Sequence, residues 1–270
     1  MILDKKILNI IDQKNQTNIN EALFGAKYIS PFIKKLKHGS NILEIGSGPC
    51  ILLSQLTLKY PKHNIFGVEP IGPGFDRFRD TLTTLKKKIR INLHKETYET
   101  LPQKKYDLIF LINVIEHIKN WEDLIVFVKK RLSLNGKCLI LCPNYGFPYE
   151  SHFGLPVICS KKITYYFFKS QIKRYESEKK SLGLWDSLNF IKYKEINKIS
   201  KINNLQIKFH YEILCDLINR LDSDDEFKKR KKYIYIISKF LLKSKIIRLI
   251  KTSLFKNYYP YIFLELSHSK

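Results

Sequence analysis

The chain has 270 residues, 44% of them apolar, with 17 Phe and 16 Tyr, which is enough to bury a sizeable core and excludes a wholly disordered protein. Gly and Pro number only 11 and 10, which removes collagen-like and low-complexity classes. Lys and Arg outnumber Asp and Glu by 48 to 25, and a net charge of +23 favours anionic partners or surfaces. Lys, Ile and Asn are used heavily along the whole chain, so the charge is not by itself evidence for nucleic acid.

Residues 1–40 read as helical segments closed by the turn Lys37-His38-Gly39-Ser40. Asn41 to Ile45 is a short apolar strand that meets Gly46-Ser47-Gly48, with Pro49 where a first helical turn tolerates it. Ile51, Leu52, Gln55, Leu56 and Lys59 follow at helical spacing. Asn64 to Glu69 is a second strand. A helix with Phe75, Phe78, Leu82 and Leu85 on one face comes next. Ile91 to Leu93 and Tyr106 to Leu111 read as the third and fourth strands. The helix from Trp121 to Leu132 is closed by a turn at Asn135-Gly136, and a fifth strand runs from Lys137 to Leu141. Strands alternating with helices, and apolar almost throughout, predict an α/β, doubly wound, mostly parallel sheet covered on both faces. Leu205 to Phe209 and Tyr261 to Leu266 look like two more strands, separated by a long basic segment.

The turn after the first strand carries the strongest chemical signal. The dinucleotide pattern G-x-G-x-x-G fails at Ile51, and the P-loop pattern is absent. Glu44-Ile45-Gly46-Ser47-Gly48-Pro49-Cys50 instead resembles the acidic-x-G-x-G-x-G motif of class I S-adenosylmethionine-dependent methyltransferases. Glu69, 21 residues after Gly48, ends the second strand where an acidic side chain can accept both ribose hydroxyls. Tyr98-Glu99-Thr100-Leu101-Pro102 is similar to the family's adenine-edge loop. Tyr106 to His117 is similar to its fourth-strand signature, and Leu134 to Lys137 to its turn before strand five. The match covers residues 40–145 in the right order, and a loop after strand five resembles a bacterial subgroup of type 11/12.

The resemblance implies a seven-stranded Rossmann-like sheet with its last strand, Tyr261 to Leu266, antiparallel. It divides the chain into an N-terminal helical segment (1–40), a cofactor-binding core (41–145), and residues 146–270 as substrate-side elaborations of the same domain. Glu44 would face the methionine ammonium, and Gly46, Ser47 and Gly48 would give backbone contacts. Glu69 and Pro70 would lie at the ribose, Thr97 and Tyr98 at the adenine, and Asn113 near the methionine end. Cys50 replaces the third glycine, and Thr97 stands where many relatives have Asp.

The loop from Cys142 to Pro156 leaves the carboxyl end of strand five, where open α/β sheets bind ligands. It gathers Tyr145, Glu150 and His152 among prolines and glycines. Methyl transfer to a hydroxyl needs alignment and removal of a proton, so His152 is the candidate base, with Glu150 and Tyr145 behind it. Glu116 and His117 read as a helix start with a local hydrogen bond. The five cysteines (Cys50, Cys138, Cys142, Cys159, Cys215) show no metal-ligand spacing, so neither disulfides nor a metal site is expected. Positions 228–256 hold eleven Lys or Arg among apolar residues at helical spacing. They read as amphipathic helices packed on the domain, as a surface for anionic membrane or, less favoured, as a nucleic-acid contact.

No apolar run reaches the roughly 18 residues of a spanning helix, and Met1 to Lys6 is charged. The expected protein is therefore a cytoplasmic methyltransferase, with peripheral membrane contact through 228–256 as the added reading. Its expected acceptor is an oxygen of a small molecule, saccharide or lipid-linked group. The alternatives are an RNA methyltransferase and a silent cofactor-binding relative. Against a nucleic-acid acceptor, Asn113 is followed by Val114-Ile115 rather than Pro-Pro, and the order is Cys142-Pro143 rather than Pro-Cys.

Overall fold

The alternation of apolar strands and helices is realised as a seven-stranded sheet in the computed structural model, which describes residues 2–11, 15–223 and 253–269. The strands are β1 (Asn41–Ile45), β2 (Asn64–Val68), β3 (Asn92–His94), β4 (Tyr106–Ile112), β5 (Leu132–Pro143), β8 (Leu205–Phe209) and β9 (Tyr261–His268), with a separate hairpin of β6 (Tyr149–Glu150) and β7 (Leu155–Pro156). Their order is β3-β2-β1-β4-β5-β9-β8. The first five pair in parallel, and β9 runs antiparallel to both β5 and β8. The strand order therefore reverses between β1 and β4, the place where doubly wound sheets open a crevice at their carboxyl ends.

The helices are α1 (Lys5–Leu8), α2 (Gln16–Ile33), α3 (Ile51–Lys59), α4 (Arg79–Lys88), α5 (Trp121–Arg131), α6 (Lys161–Glu178), α7 (Leu184–Ser187), α8 (Tyr193–Ile202) and α9 (Ile213–Ser223). Among them α2 packs on α3 and α5 on α8. Ile42, Leu43, Ile109, Phe110, Leu139 and Ile140 of the central strands are fully buried. Two-sided burial explains why these strands read as continuous apolar runs rather than as alternating ones. A second, smaller core of Tyr145, Leu155, Ile172, Trp185 and Leu188 ties the β6–β7 hairpin to α6 and α7.

Two local expectations are corrected. The helix expected to carry Phe75, Phe78, Leu82 and Leu85 on one face is broken. Residues Asp76–Phe78 form a 3-10 turn, and only then does α4 begin. Leu82 and Leu85 are buried against the core, whereas Phe75 and Phe78 turn to line a cavity. The Asn135-Gly136 turn does not precede a strand but lies inside β5. The pairing passes from Tyr106–Leu132 to Leu108–Lys137, so Ser133 to Gly136 bulge out opposite Asp107. The Asp107 carboxylate holds this bulge by accepting from Ser133 Oγ (2.9 Å) and from the Asn41 backbone N–H (2.9 Å).

No helix among the described residues is long and apolar enough to cross a membrane. Most of the basic segment, residues 228–252, lies outside the described residues. Its last four positions open the 3-10 turn Ser253–Tyr258.

Candidate active site

The turn between β1 and α3 is built from left-handed residues. Gly46, Gly48 and Cys50 have φ of 74°, 50° and 62°. A Cβ at Gly46 would collide with the Val114 side chain, so glycine is required there both by conformation and by space. Cys50 adopts the same conformation at the position of the missing third glycine, with its side chain fully buried. Glu69 holds the turn from the next strand. Its carboxylate accepts the Gly48 N–H (2.6 Å) and the Ile71 N–H (2.8 Å). Each oxygen keeps a second acceptor position, and Glu69 lines the cavity above the turn.

That cavity has a volume of about 770 Å³, within the usual range for small-molecule sites. Glu44, Gly46, Ser47, Gly48, Glu69, Pro70, Thr97, Tyr98 and Asn113 all line it. Glu44 Oε2 and Ser47 Oγ are buried and find no hydrogen-bond partner beyond each other among the described residues. Burial pushes the Glu44 carboxyl up to about 8, against the Ser47 hydroxyl, which favours the charged form, and with Glu69 adding to the rise. A buried carboxyl and hydroxyl matched only to each other at the mouth of a glycine turn fit a cationic, hydrogen-bonding group such as an amino-acid ammonium. Phe75 and Phe78 add aromatic surface beside the turn.

Beyond the turn, Asn113 follows the end of β4 in a left-handed conformation (φ 55°), and its Oδ1 accepts the Tyr261 hydroxyl at 2.7 Å. The chain then makes a 3-10 turn, Ile115–His117. Asn189 pins it, with Nδ2 donating to the carbonyls of Ile115 (2.7 Å) and Ile118 (2.9 Å). The helix start read at Glu116 and His117 is present as this 3-10 turn, but the His117 side chain does not make the local hydrogen bond expected of it. Glu116 is fully buried and neither carboxylate oxygen has a hydrogen-bond partner among the described residues. Burial pushes its carboxyl up to about 7. His117 bonds far along the chain, from Nδ1 to Ser187 Oγ at 2.9 Å. Burial, reinforced by His152, lowers the His117 imidazole well below its usual range.

His152 stands at the tip of the β6–β7 hairpin. Glu150, fully buried beneath it, accepts His152 Nδ1 (2.7 Å), the His152 N–H (2.9 Å) and the Tyr145 hydroxyl (3.1 Å) on Oε1, and the Phe153 N–H (2.6 Å) on Oε2. Burial alone would raise Glu150, but His152 and these donors hold it below the usual carboxylate range. His152 lines the cavity, whereas Glu150 and Tyr145 lie behind it and reach the cavity only through it. The rings of His117 and His152 are 5.0 Å apart, and each Nε2 is 4.0 Å from Glu116 Oε1.

The cavity thus has a glycine-turn end and an acid–histidine end, which together make the layout of a group-transfer site. Residues 17–189 match the family model described as a methyltransferase domain. A protein of Mycobacterium tuberculosis is 30% identical over 215 residues, 78% of this chain and 73% of the relative. The chain belongs to the methyltransferase domain family, as a class I S-adenosylmethionine-dependent enzyme. It is also similar to malonyl-(acyl-carrier protein) O-methyltransferase 2 of Ilyobacter polytropus, at 26% identity over 73% of this chain and 69% of that one. Among solved structures, the plantazolicin methyltransferase BpumL overlaps 98% of this chain and 91% of its own, with a TM-score of 0.53 at 13% identity. The phosphoethanolamine N-methyltransferase 2 of Haemonchus contortus overlaps 93% of this chain at 18% identity, TM-score 0.51. The chain spans about half of that longer protein, 53%.

Several cavity residues escaped sequence reasoning. Tyr261 looked like an ordinary strand residue, and Thr17, Asn18 and Glu21 like ordinary helix residues, yet all line the cavity. Glu116 carried a signal, a carboxylate within an otherwise apolar run, that only burial without a partner makes decisive.

Proposed function

We propose that this methyltransferase transfers a methyl group to a hydroxyl oxygen on a small acceptor with an apolar body. Glu44, Ser47 and the backbone of Gly46 and Gly48 hold the methionine end of the cofactor. Glu69 and Pro70 hold its ribose, Thr97 and Tyr98 flank its adenine, and Asn113 orients the reacting end. When bound, S-adenosylmethionine supplies a methyl group on a sulfonium, an electrophile that needs only an aligned nucleophile.

The observation that carries the oxygen reading is His152. Glu150 is an ionised acceptor that holds the proton-bearing Nδ1 of His152, so Nε2 is the nitrogen that would serve as base in the neutral ring. In this reading the acceptor hydroxyl gives its proton at the Glu116–His117–His152 corner, and Nε2 of His152 takes it when nothing else occupies that corner. The apolar body lies along Phe24, Phe147, Leu214, Leu217 and Ile218, which line the same cavity. The Ilyobacter polytropus relative is named as an O-methyltransferase, which agrees with an oxygen acceptor.

The test is transfer of labelled methyl into extract fractions of small molecules, lipid and polysaccharide, nucleic acid, and protein, with Glu69→Ala as the control. Label in the small-molecule or lipid fraction is expected. His152→Ala should lose it while binding the cofactor as tightly as the parent. Label in RNA, or unchanged turnover in His152→Ala, overturns the reading.

A further inference from the structure

We propose that Glu116, His117 and His152 form a binding site for one divalent transition-metal ion, ligated by the Glu116 carboxylate and the two histidine Nε2 atoms. One potential ligand atom from each of the three residues lies within 4.8 Å of the others. Ligands about 2.1 Å from a tetrahedral ion sit roughly 3.4 Å apart, so the side chains need close by only about an ångström.

The hydrogen bonds around the cluster set which nitrogen of each ring lies on the Glu116 side. Ser187 Oγ donates its one hydrogen to the Leu184 carbonyl at 2.7 Å. It therefore accepts at its 2.9 Å contact with His117, which puts the proton on His117 Nδ1 and the lone pair on Nε2. The Glu150 carboxylate accepts from His152 Nδ1 at 2.7 Å, which leaves Nε2 as the ring nitrogen on the Glu116 side. Both Nε2 atoms are thus turned to the same Glu116 oxygen, at 4.0 Å each. That carboxylate is fully buried and receives no hydrogen bond among the described residues.

An ion bound there would give the buried Glu116 carboxylate a partner at bonding distance, in place of the charge that His152 offers it from 4.0 Å. The outer partners are those that metal-bound histidines use, a carboxylate on one ring and a hydroxyl on the other, and both hold the rings in the ligating tautomer. Two imidazoles and one carboxylate suit Zn²⁺, Fe²⁺ or Mn²⁺ better than Mg²⁺ or Ca²⁺, which prefer all-oxygen sites. Because His117 and His152 line the cavity, the remaining coordination position would open to it.

The proposal rests on the function given above and changes the role of His152 from base to ligand. The acceptor hydroxyl then loses its proton to solvent while its oxygen is held by the ion, as metal-bound water does near neutral pH.

The test is binding of Zn²⁺ and of Mn²⁺ to chelator-treated full-length protein, followed by calorimetry and by metal content after dialysis. One tightly held ion per chain is expected. Glu116→Gln and His117→Ala should each weaken it at least tenfold, whereas His38→Ala, at a surface position, should not. Glu116→Gln keeps the side-chain shape and removes a buried charge, so its melting temperature without metal should not fall. The metal-induced rise in melting temperature should be absent from that variant. No stoichiometric ion, or binding that Glu116→Gln leaves intact, overturns the site. Loss of turnover in His152→Ala without any metal binding would leave the oxygen-methylation reading standing and remove only the metal.

Discussion

Tyr261 donates its hydroxyl to Asn113 Oδ1 at 2.7 Å, joining two residues 148 positions apart at the wall of one cavity. Tyr261 begins the antiparallel β9, and Asn113 follows the parallel β4 in a left-handed conformation. The bond fixes the amide of Asn113 with its Oδ1 toward Tyr261 and its Nδ2 turned elsewhere. Tyr261→Phe should cost about 1 kcal/mol of stability, the ordinary worth of one buried hydrogen bond. It should also raise the KM for the cofactor several-fold by freeing Asn113. Thermal melts and initial rates measure the two effects separately.

Glu69 does two jobs, clamping the glycine turn through the N–H groups of Gly48 and Ile71 and offering acceptors to the cavity. Hydrogen bonds to a charged group are worth roughly 1.5–3 kcal/mol. Glu69→Ala should therefore weaken cofactor binding by roughly 10- to 100-fold, at about 1.4 kcal/mol per factor of ten. Calorimetric titration checks it. Glu69→Gln, which keeps the shape, should recover part of the loss.

Glu44 gives cofactor binding a pH dependence. Burial raises its carboxyl from 4.5 to about 8. In the empty site the folded state therefore prefers the proton. Stability is retained at low pH and declines as pH rises from about 4.5 through about 8, where the unfolded chain ionises more readily than the folded one. A cationic ligand reverses the preference. Affinity for S-adenosylmethionine should rise up to about pH 8, with proton release below it. Calorimetry in two buffers of different ionisation enthalpy counts the proton. Glu44→Gln should flatten the profile.

Glu150 is a positioning residue, since its contacts to the cavity run through His152. Glu150→Gln removes the charged acceptor that fixes the His152 tautomer. It should lower kcat by roughly 10- to 100-fold, the usual cost of losing such an orienting partner, and leave the dissociation constant of the cofactor unchanged. Tyr145→Phe removes only one of four donors to Glu150 and should be milder.

The order of strands and helices, the glycine turn at Gly46 to Gly48, and the acidic ends of β1 and β2 were legible in the sequence alone. Each depends on neighbours within a few residues, on left-handed conformations that glycine favours, and on apolar runs that mark strands buried on both faces. The break before α4 and the bulge at Ser133 to Gly136 were not legible, because local periodicity does not tell whether Phe75 faces a core or a cavity. The acid–histidine corner lay further out of reach. His152 is 35 residues from His117, and nothing in their spacing marks a pair. Glu116 looked like any carboxylate at a helix start until burial left both its oxygens without a donor. Only the tertiary structure decides such a site, since it depends on which polar groups lose water together and on which atoms the surrounding hydrogen bonds leave facing one another.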